Sequence, residues 1–500
     1  MTDADLPDEA EGAPEQVRVR LAKAERLRAA GIDPYPVVYP RTHMIAEIRE
    51  EFGGLPPDAA SGVRVGTAGR VMLRRDGGKL CFARIRDGSG EIQVMLSLEV
   101  VGANQLAAWK QNVDLGDHVG VTGAVISSRS GELSVLADSF EITAKALRPL
   151  PDKRHGLTDA ETRVRQRYLD LIVNPTSVRM AEVRAAVTRS IREELHARGF
   201  LEAETPVLQT LHGGANARPF ATHINAYDLN LYLRIALELY LKRLLVGGIE
   251  RVYELGRIFR NEGADATHNP EFTMLEAYQA YGDYNTMATL TTDLLQAAAR
   301  TVYGAEVARR LDGTEFDISG RWREVTVHRA LSEALGTEIT PDTSEKELRA
   351  HAETLGTELR PDWNQADVVL ELYEHLVERR TVQPTFYRDF PVGVSPLTRR
   401  HREDARLAER WDLVAFGTEI ATGYSELSDP VEQRARLTEQ ALLAASGDPD
   451  AMHLDEEFLL ALEHGMPPSG GVGMGVDRAL IMLTGAPVRE TVLFPLVKPT

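Results

Sequence analysis

The clearest pattern along the chain lies between Val252 and Gln279. An apolar run, Val252-Tyr253-Glu254-Leu255 followed by Ile258-Phe259, leads into Arg260-Asn261-Glu262-Gly263. A polar stretch from Ala264 to Pro270 closes on His268-Asn269-Pro270, and a second run then alternates strictly. Phe272, Met274, Glu276 and Tyr278 share one face of it, while Thr273, Leu275, Ala277 and Gln279 share the other. The pattern predicts strand–loop–strand, with an arginine ending one strand and an aromatic ring, a carboxylate and a phenol in a row on the next. An arginine can fork onto a phosphate, and Phe272 can stack a base. Glu276, flanked by Met274 and Tyr278, is a poorly solvated carboxylate in need of a cation. Such a set suits a nucleotide together with an ammonium-bearing substrate. A hairpin with surface charges fits the alternation as well.

Elsewhere the periodicity divides the chain. Residues 1–15 form an acidic tail expected to be disordered. Residues 16–62 are a helical segment, with a basic helix over Val17–Ala30 stopped by Gly31. From 63 to 147 the pattern changes to about five short alternating strands with glycine punctuation, which predicts a small closed barrel of the oligonucleotide-binding type. Residues 148–175 read as a linker. A long amphipathic helix over Thr176–Arg198, ended by Gly199, opens a domain that runs to residue 500, with a helical insertion around 325–382. The segment Trp411–Asp429 reads as a hairpin turning at Gly417-Thr418, which pairs Phe416 with Glu419 and sets Asp412 on the same face as both. Two carboxylates there could hold Mg²⁺ between nucleotide phosphates. Gly471, Gly473 and Gly475 alternate on a strand running into a helix that starts at Asp477-Arg478, which brings backbone within reach of a nucleotide.

Composition narrows the class. With 500 residues, 43% of them hydrophobic, the chain is too long for a single core. The formal charge of −18 excludes a general nucleic-acid coat but not a local basic face. One such face is residues 64–86, with Arg64, Arg70, Arg74, Arg75, Lys79, Arg84 and Arg86 against the single acid Asp76. Cys81 is the only cysteine, which excludes a disulfide framework and a cysteine-based zinc site. The acidic N-terminus lacks the apolar core of a signal peptide and no apolar run reaches membrane-spanning length, so a cytoplasmic protein without membrane contact is expected.

Phe259-Arg260-Asn261-Glu262-Gly263, then His268-Asn269-Pro270-Glu271-Phe272-Thr273-Met274-Leu275-Glu276, resembles motif 2 of class II aminoacyl-tRNA synthetases in the form carried by bacterial lysyl-tRNA synthetases. Glu204-Thr205-Pro206 resembles the family's motif 1, and Gly473-Met474-Gly475-Val476-Asp477-Arg478 its motif 3. The resemblance implies an α+β protein: a five-stranded OB-type barrel that reads the tRNA anticodon, and a class II catalytic domain with an antiparallel sheet flanked by helices. It implies a homodimer, with L-lysine, ATP and tRNA(Lys) as substrates and Mg²⁺ as cofactor. Residue by residue it implies catalytic roles for Arg260 and Arg478, and ATP contacts from Arg260, Glu262, His268, Asn269, Phe272, Glu419 and Arg478. Lysine contacts would come from Gly214, Glu238, Arg260, Glu276, Tyr278, Thr422, Tyr424 and Glu426, metal contacts from Asp412 and Glu419, and anticodon contacts from Arg74, Phe82, Gln93 and Glu132. Three acids, Glu238, Glu276 and Glu426, favour a dibasic amino acid. The chain departs from the family at Asp412, where many members carry glutamate, and at Ala421-Thr422, where they commonly carry Gly-Asn. A paralogue that lysylates protein is the first alternative, and a catalytically silent binding protein the second.

Overall fold

The computed structural model describes residues 13–151, 157–263, 268–445 and 452–498. Most of the expected acidic tail, part of the expected linker and residues 264–267 of the polar loop therefore lie outside the described residues. The chain forms two compact units, residues 1–157 and 158–500.

In the first unit β1 (Ala60–Asp76), β2 (Leu80–Arg86), β3 (Glu91–Ser97), β4 (His118–Ser127) and β5 (Leu133–Ala144) close into a barrel in the order β1-β2-β3-β5-β4. Their inward positions, among them Val71, Ile85, Ile92, Val94, Val121 and Val135, build one core, as the alternation requires. The basic N-terminal helix runs from Glu15 to Ala29 and buries Val17, Arg20, Ala24 and Leu27. The alternation pattern did not announce the helix Leu98–Asn112 between β3 and β4. Its N-cap is Ser97, whose hydroxyl accepts from Glu99 N, and it buries Trp109.

The outer surface of the barrel amends the expected anticodon set. In the β1–β2 register Arg74 lies opposite the buried Ala83, and Arg75 lies opposite Phe82. Arg74 is turned inward onto Asp76 and the carbonyl oxygens of Lys110 and Val113. A bulge between Val71 and Leu73 shifts the register and reverses the faces beyond it. Phe82 and Gln93 are on adjacent strands, Gln93 Nε2 donates to Ser134 Oγ at 2.9 Å, and that hydroxyl donates to Glu132 O at 2.9 Å. The basic run is partly neutralised within the unit, since Arg64 forks onto Asp138 and Arg86 pairs with Glu91.

The second unit begins earlier than the expected linker boundary. Helices Ala160–Arg165 and Arg167–Val173 already pack into it. Arg167 pairs with the buried Asp170 at 2.6 Å and donates to the carbonyl oxygens of Leu493 and Arg489. The long helix spans Pro175–Ala197. The strands are β6 (Leu201–Glu202), β7 (Leu208–Gln209), β8 (Ala221–Ile224), β9 (Leu229–Leu233), β10 (Arg251–Phe259), β11 (Glu271–Ala280), β12 (Val307–Arg309), β13 (Glu315–Asp317), β14 (Arg323–Thr326), β15 (Thr385–Pro391), β16 (Leu407–Ala415), β17 (Thr418–Ser425) and β18 (Ser469–Gly475). Eight of them form a sheet in the order β14-β15-β16-β17-β18-β11-β10-β6. The six central strands are antiparallel, as expected, and β14 and β6 join the two edges in parallel. Helices lie between the strands of each parallel pair, Glu238–Val246 between β6 and β10 and Gln365–Leu376 among those between β14 and β15, which is the connection parallel pairing needs. The insertion is helical (Val327–Leu335, Glu345–Leu355 and Gln365–Leu376) and packs with Val325, Tyr387, Phe390 and Val414 of the sheet in an apolar cluster around Tyr373 and Leu372. Among the described residues no helix is long and apolar enough to cross a membrane.

Candidate active site

Strands β10 and β11 pair in register from Arg251–Gln279 to Phe259–Glu271, as the alternation predicts. Arg260 follows β10 directly, and its backbone N–H donates to Pro270 O at 2.9 Å. This closes the strand ends and sets the guanidinium 5.4 Å from the Phe272 ring centroid. The arginine's Nε donates to Ile235 O at 3.4 Å. On the far side of β11, β18 pairs Glu276 with Gly473 and Tyr278 with Gly471. These strands floor a cavity of about 410 Å³, whose walls include Gly214, Glu238, Arg260, Glu262, His268, Asn269, Phe272, Glu276, Tyr278, Glu419, Thr422, Tyr424 and Arg478.

One end of the cavity is acidic and dry. Glu276 is 4% exposed and accepts from Leu237 N and from the Tyr278 hydroxyl, each at 2.9 Å. Burial, with Glu238 nearby, pushes its carboxyl up to about 7. Glu238 opens the helix Glu238–Val246 and pairs with Lys242 one turn on, at 2.5 Å. The Lys242 ammonium, fully buried, stands 2.5 Å from Glu426 Oε2 as well. That contact is an ion pair out of hydrogen-bond alignment, so neither Glu426 oxygen has a hydrogen-bond donor among the described residues. Burial raises the Glu426 carboxyl to about 8, with Lys242 opposing the rise. Gly471 faces this group: a Cβ there would come 1.9 Å from Glu426 Oε1 and 2.5 Å from the Tyr278 ring. Gly214, at φ +85°, would set a Cβ 3.1 Å from both Ala236 and Glu238, so glycine alone fits there too.

The other end carries cations and a ring. Arg478, in the first turn of the helix Val476–Thr484, donates to Glu419 O at 3.0 Å and lies 3.4 Å from His268 Nε2. Its neighbour Asp477 points the opposite way and fastens the helix to the sheet, accepting from Thr273 N at 3.0 Å and from Arg184. Desolvation lowers the Arg260 pKa, with Arg478 adding to that and Glu262, Glu419 and Glu276 opposing it. A guanidinium stays charged regardless.

The β16–β17 hairpin differs in detail from its expected form. The turn is Phe416-Gly417, with φ of +52° and +72°, and Ala415 pairs with Thr418. Two successive positive φ values make the tight hairpin whose twist matches its strands, so the expected Gly417-Thr418 turn moves back by one residue. A bulge then places Glu419 opposite Val414 while Ala421 stays opposite Leu413. The extra residue restores Asp412 and Glu419 to one face, as expected, although Glu419 pairs with Val414 rather than Phe416. Glu419, Arg410 and Thr422 line the cavity, whereas Asp412 is not among its lining residues and is held by the Arg410 fork (3.0 and 2.8 Å) and by the Thr422 hydroxyl at 2.7 Å. Among the described residues no group of three or more acids, histidines or cysteines is placed to hold a metal ion. A pair of carboxylates beside a phosphate site still fits Mg²⁺, which uses one or two carboxylates and takes the rest from phosphates and water. Three donors on Asp412 leave one of its roughly four lone-pair sites free.

The model for tRNA synthetases class II (D, K and N) matches residues 159–498, and that for the OB-fold nucleic acid binding domain matches residues 65–143. The chain belongs to the class II tRNA synthetases. It is 55% identical over 501 residues to the Lysine--tRNA ligase of Mycolicibacterium gilvum, covering 100% of this chain and 99% of that protein. It is likewise 55% identical to the Lysine--tRNA ligase of Mycobacterium tuberculosis, over 98% of this chain and 99% of the relative. The Lysylphosphatidylglycerol biosynthesis bifunctional protein LysX of Nocardia farcinica is 56% identical over 99% of this chain, which spans only 44% of that protein. Within this class II domain, sequence reasoning passed over Lys242 and Arg410. Spacing held a signal for both: Glu238 and Lys242 are four apart on a helix, and Arg410 and Asp412 are two apart on a strand.

Proposed function

We propose that the chain is an ATP-dependent lysine–tRNA ligase, which activates L-lysine as its adenylate and transfers it to the terminal ribose of tRNA(Lys). One observation carries this reading: a single cavity has buried carboxylates at one end and a stacking ring with two guanidinium groups at the other. The acids Glu238, Glu276 and Glu426, set against Lys242, the ammonium paired with two of them, leave a deficit of two positive charges when ionised. A diamino acid supplies both, and its carboxylate then falls toward Arg260. Phe272 would stack the adenine, Glu262 would accept from its amino group, and His268, Asn269 and Arg478 would take the outer phosphates. Attack of the lysine carboxylate on the α-phosphorus needs little proton transfer, so positioning and charge neutralisation supply the catalysis. Arg260 is placed to neutralise both reacting anions. Glu419 and Asp412 would hold Mg²⁺, which when bound offsets phosphate charge. The closed barrel supports tRNA as the acceptor over a protein substrate, and a tRNA acceptor implies work in the cytoplasm. A homodimer is supported by motif 1 and by the exposed Leu201, Val207, Leu208 and Leu211 beside it.

ATP–pyrophosphate exchange across the twenty amino acids plus ornithine, without tRNA, tests the reading. Exchange with lysine alone, followed by lysylation of tRNA(Lys), is expected. Exchange with none of them would overturn it in favour of the silent binding paralogue.

The same acids predict a proton linkage. Near neutral pH in the free protein Glu276, raised to about 7, is about half protonated, and Glu426, raised to about 8, is mostly so. Arriving ammonium groups favour their ionised forms, so lysine binding should expel protons and tighten as pH rises from about 6 to about 8. Titration calorimetry in buffers of different ionisation enthalpy counts the protons released. A pH-independent affinity with no proton release would contradict the assignment of these acids to the lysine site.

A further inference from the structure

We propose that Thr422 is a positioning residue for the Asp412 carboxylate and not a ligand of the amino-acid substrate. The inference rests on the ligase reading and assigns one side chain within that site.

Asp412 and Thr422 are direct partners in the β16–β17 register. The Thr422 hydroxyl donates to Asp412 Oδ1 at 2.7 Å, with the Trp411 carbonyl oxygen 3.3 Å away and the Tyr424 hydroxyl also near it. A hydroxyl has one proton to give. Spent on β16, it leaves only lone pairs and a methyl group for the cavity, and lone pairs repel a substrate carboxylate. Lysine's carboxylate is therefore left to Arg260, whose guanidinium is otherwise engaged only through Nε among the described residues.

Asp412 in turn needs the help. Its side chain is one methylene shorter than glutamate and is only 5% exposed. The Arg410 fork holds both of its oxygens, and Arg410, which itself lines the cavity, is fixed over the Phe390 ring at 4.3 Å and donates to Val394 O at 3.3 Å. The Thr422 hydroxyl, arriving from the neighbouring strand, opposes rotation of the carboxylate about its last bond. Oδ1 then carries two donors, from Arg410 Nε and Thr422, and the one lone pair left free is on Oδ2, on the face of the hairpin that also carries Glu419. Asparagine at 422 would be longer by one heavy atom, and glutamate at 412 by one methylene, so the two positions fit each other as a pair.

The test uses the full chain and two readouts that separate the roles. Lysine affinity is measured by calorimetry without metal, and Mn²⁺ affinity by electron paramagnetic resonance with a non-hydrolysable ATP analogue. Thr422→Val is expected to leave lysine affinity within about twofold and to weaken Mn²⁺ binding about tenfold, the effect of losing a hydrogen bond to a charged group. Thr422→Ser, which keeps the hydroxyl, should match the parent protein in both. Asp412→Glu should weaken Mn²⁺ binding in the parent and be restored in the Asp412→Glu, Thr422→Asn double variant. Lysine affinity falling about tenfold in Thr422→Val with Mn²⁺ unchanged would overturn the proposal, as would no change in either. Should Thr422→Val not fold, an Asp412→Glu effect of the same size with threonine and with asparagine at 422 would overturn it. A parent protein without lysine-dependent exchange would instead overturn the ligase reading, independently of these variants.

Discussion

Arg260→Ala is expected to lower the rate of lysine-dependent pyrophosphate exchange by about 10²–10³-fold, the usual loss when a preorganised donor at developing charge is removed. The expectation follows from how little the protein asks of this side chain. Nε reaches one carbonyl oxygen at 3.4 Å, and the Phe272 ring lies beneath the guanidinium. Among the described residues no carboxylate lies within ion-pairing distance of it, so its remaining donors face the cavity preformed. The loss should fall mainly on kcat, because a group that neutralises reacting anions acts more in the transition state than in the ground state. Arg260→Lys keeps the charge without the planar fork and should recover only part of the rate. Single-turnover formation of the adenylate, with thermal unfolding as a control for structure, checks both variants. An alanine variant within tenfold of the parent would place the reacting phosphorus elsewhere.

Lys242→Met is expected to destabilise the second unit by about 3–5 kcal/mol, the cost of removing one partner from a buried ion pair. Lys242 is fully buried and lies 2.5 Å from carboxylates on two elements, Glu238 on its own helix and Glu426 beyond β17. Methionine fills the volume but leaves the two acids facing each other in a dry pocket. Protonation of Glu426, already raised to about 8, recovers part of the loss at neutral pH and less of it at higher pH. The variant should therefore unfold at progressively lower urea concentration than the parent as pH rises from about 6 to about 9. Saturating lysine should narrow the gap, since its ammonium enters the same pocket. Equal urea midpoints for parent and variant across that range would show that Lys242 does not hold the acids.

Much of this site was legible before any coordinates. The alternation of Phe272, Met274, Glu276 and Tyr278 became β11, and Arg260 does end β10. The barrel, the long helix and the helical insertion also followed from period and punctuation, whereas the sheet was implied by the family resemblance. These are local properties. A side chain's face on a strand or helix depends on its nearest neighbours in sequence, and turns are set by a few residues whose backbone preferences are strong. The tertiary structure alone decided which face meets which. Single-residue bulges at 71–73 and 413–414 moved Arg74 away from Phe82 and returned Glu419 to the face of Asp412. Where a bulge falls depends on how the sheet closes over its core, not on the residues beside it. The pairing of Lys242 with Glu426 spans 184 positions, and a lysine written among leucines on an amphipathic helix carries no sign of it. The residue types and their local geometry came from sequence, while the partner of each buried charge came from packing, because burial makes an unpaired charge costly and leaves only contacts distant in sequence to satisfy it.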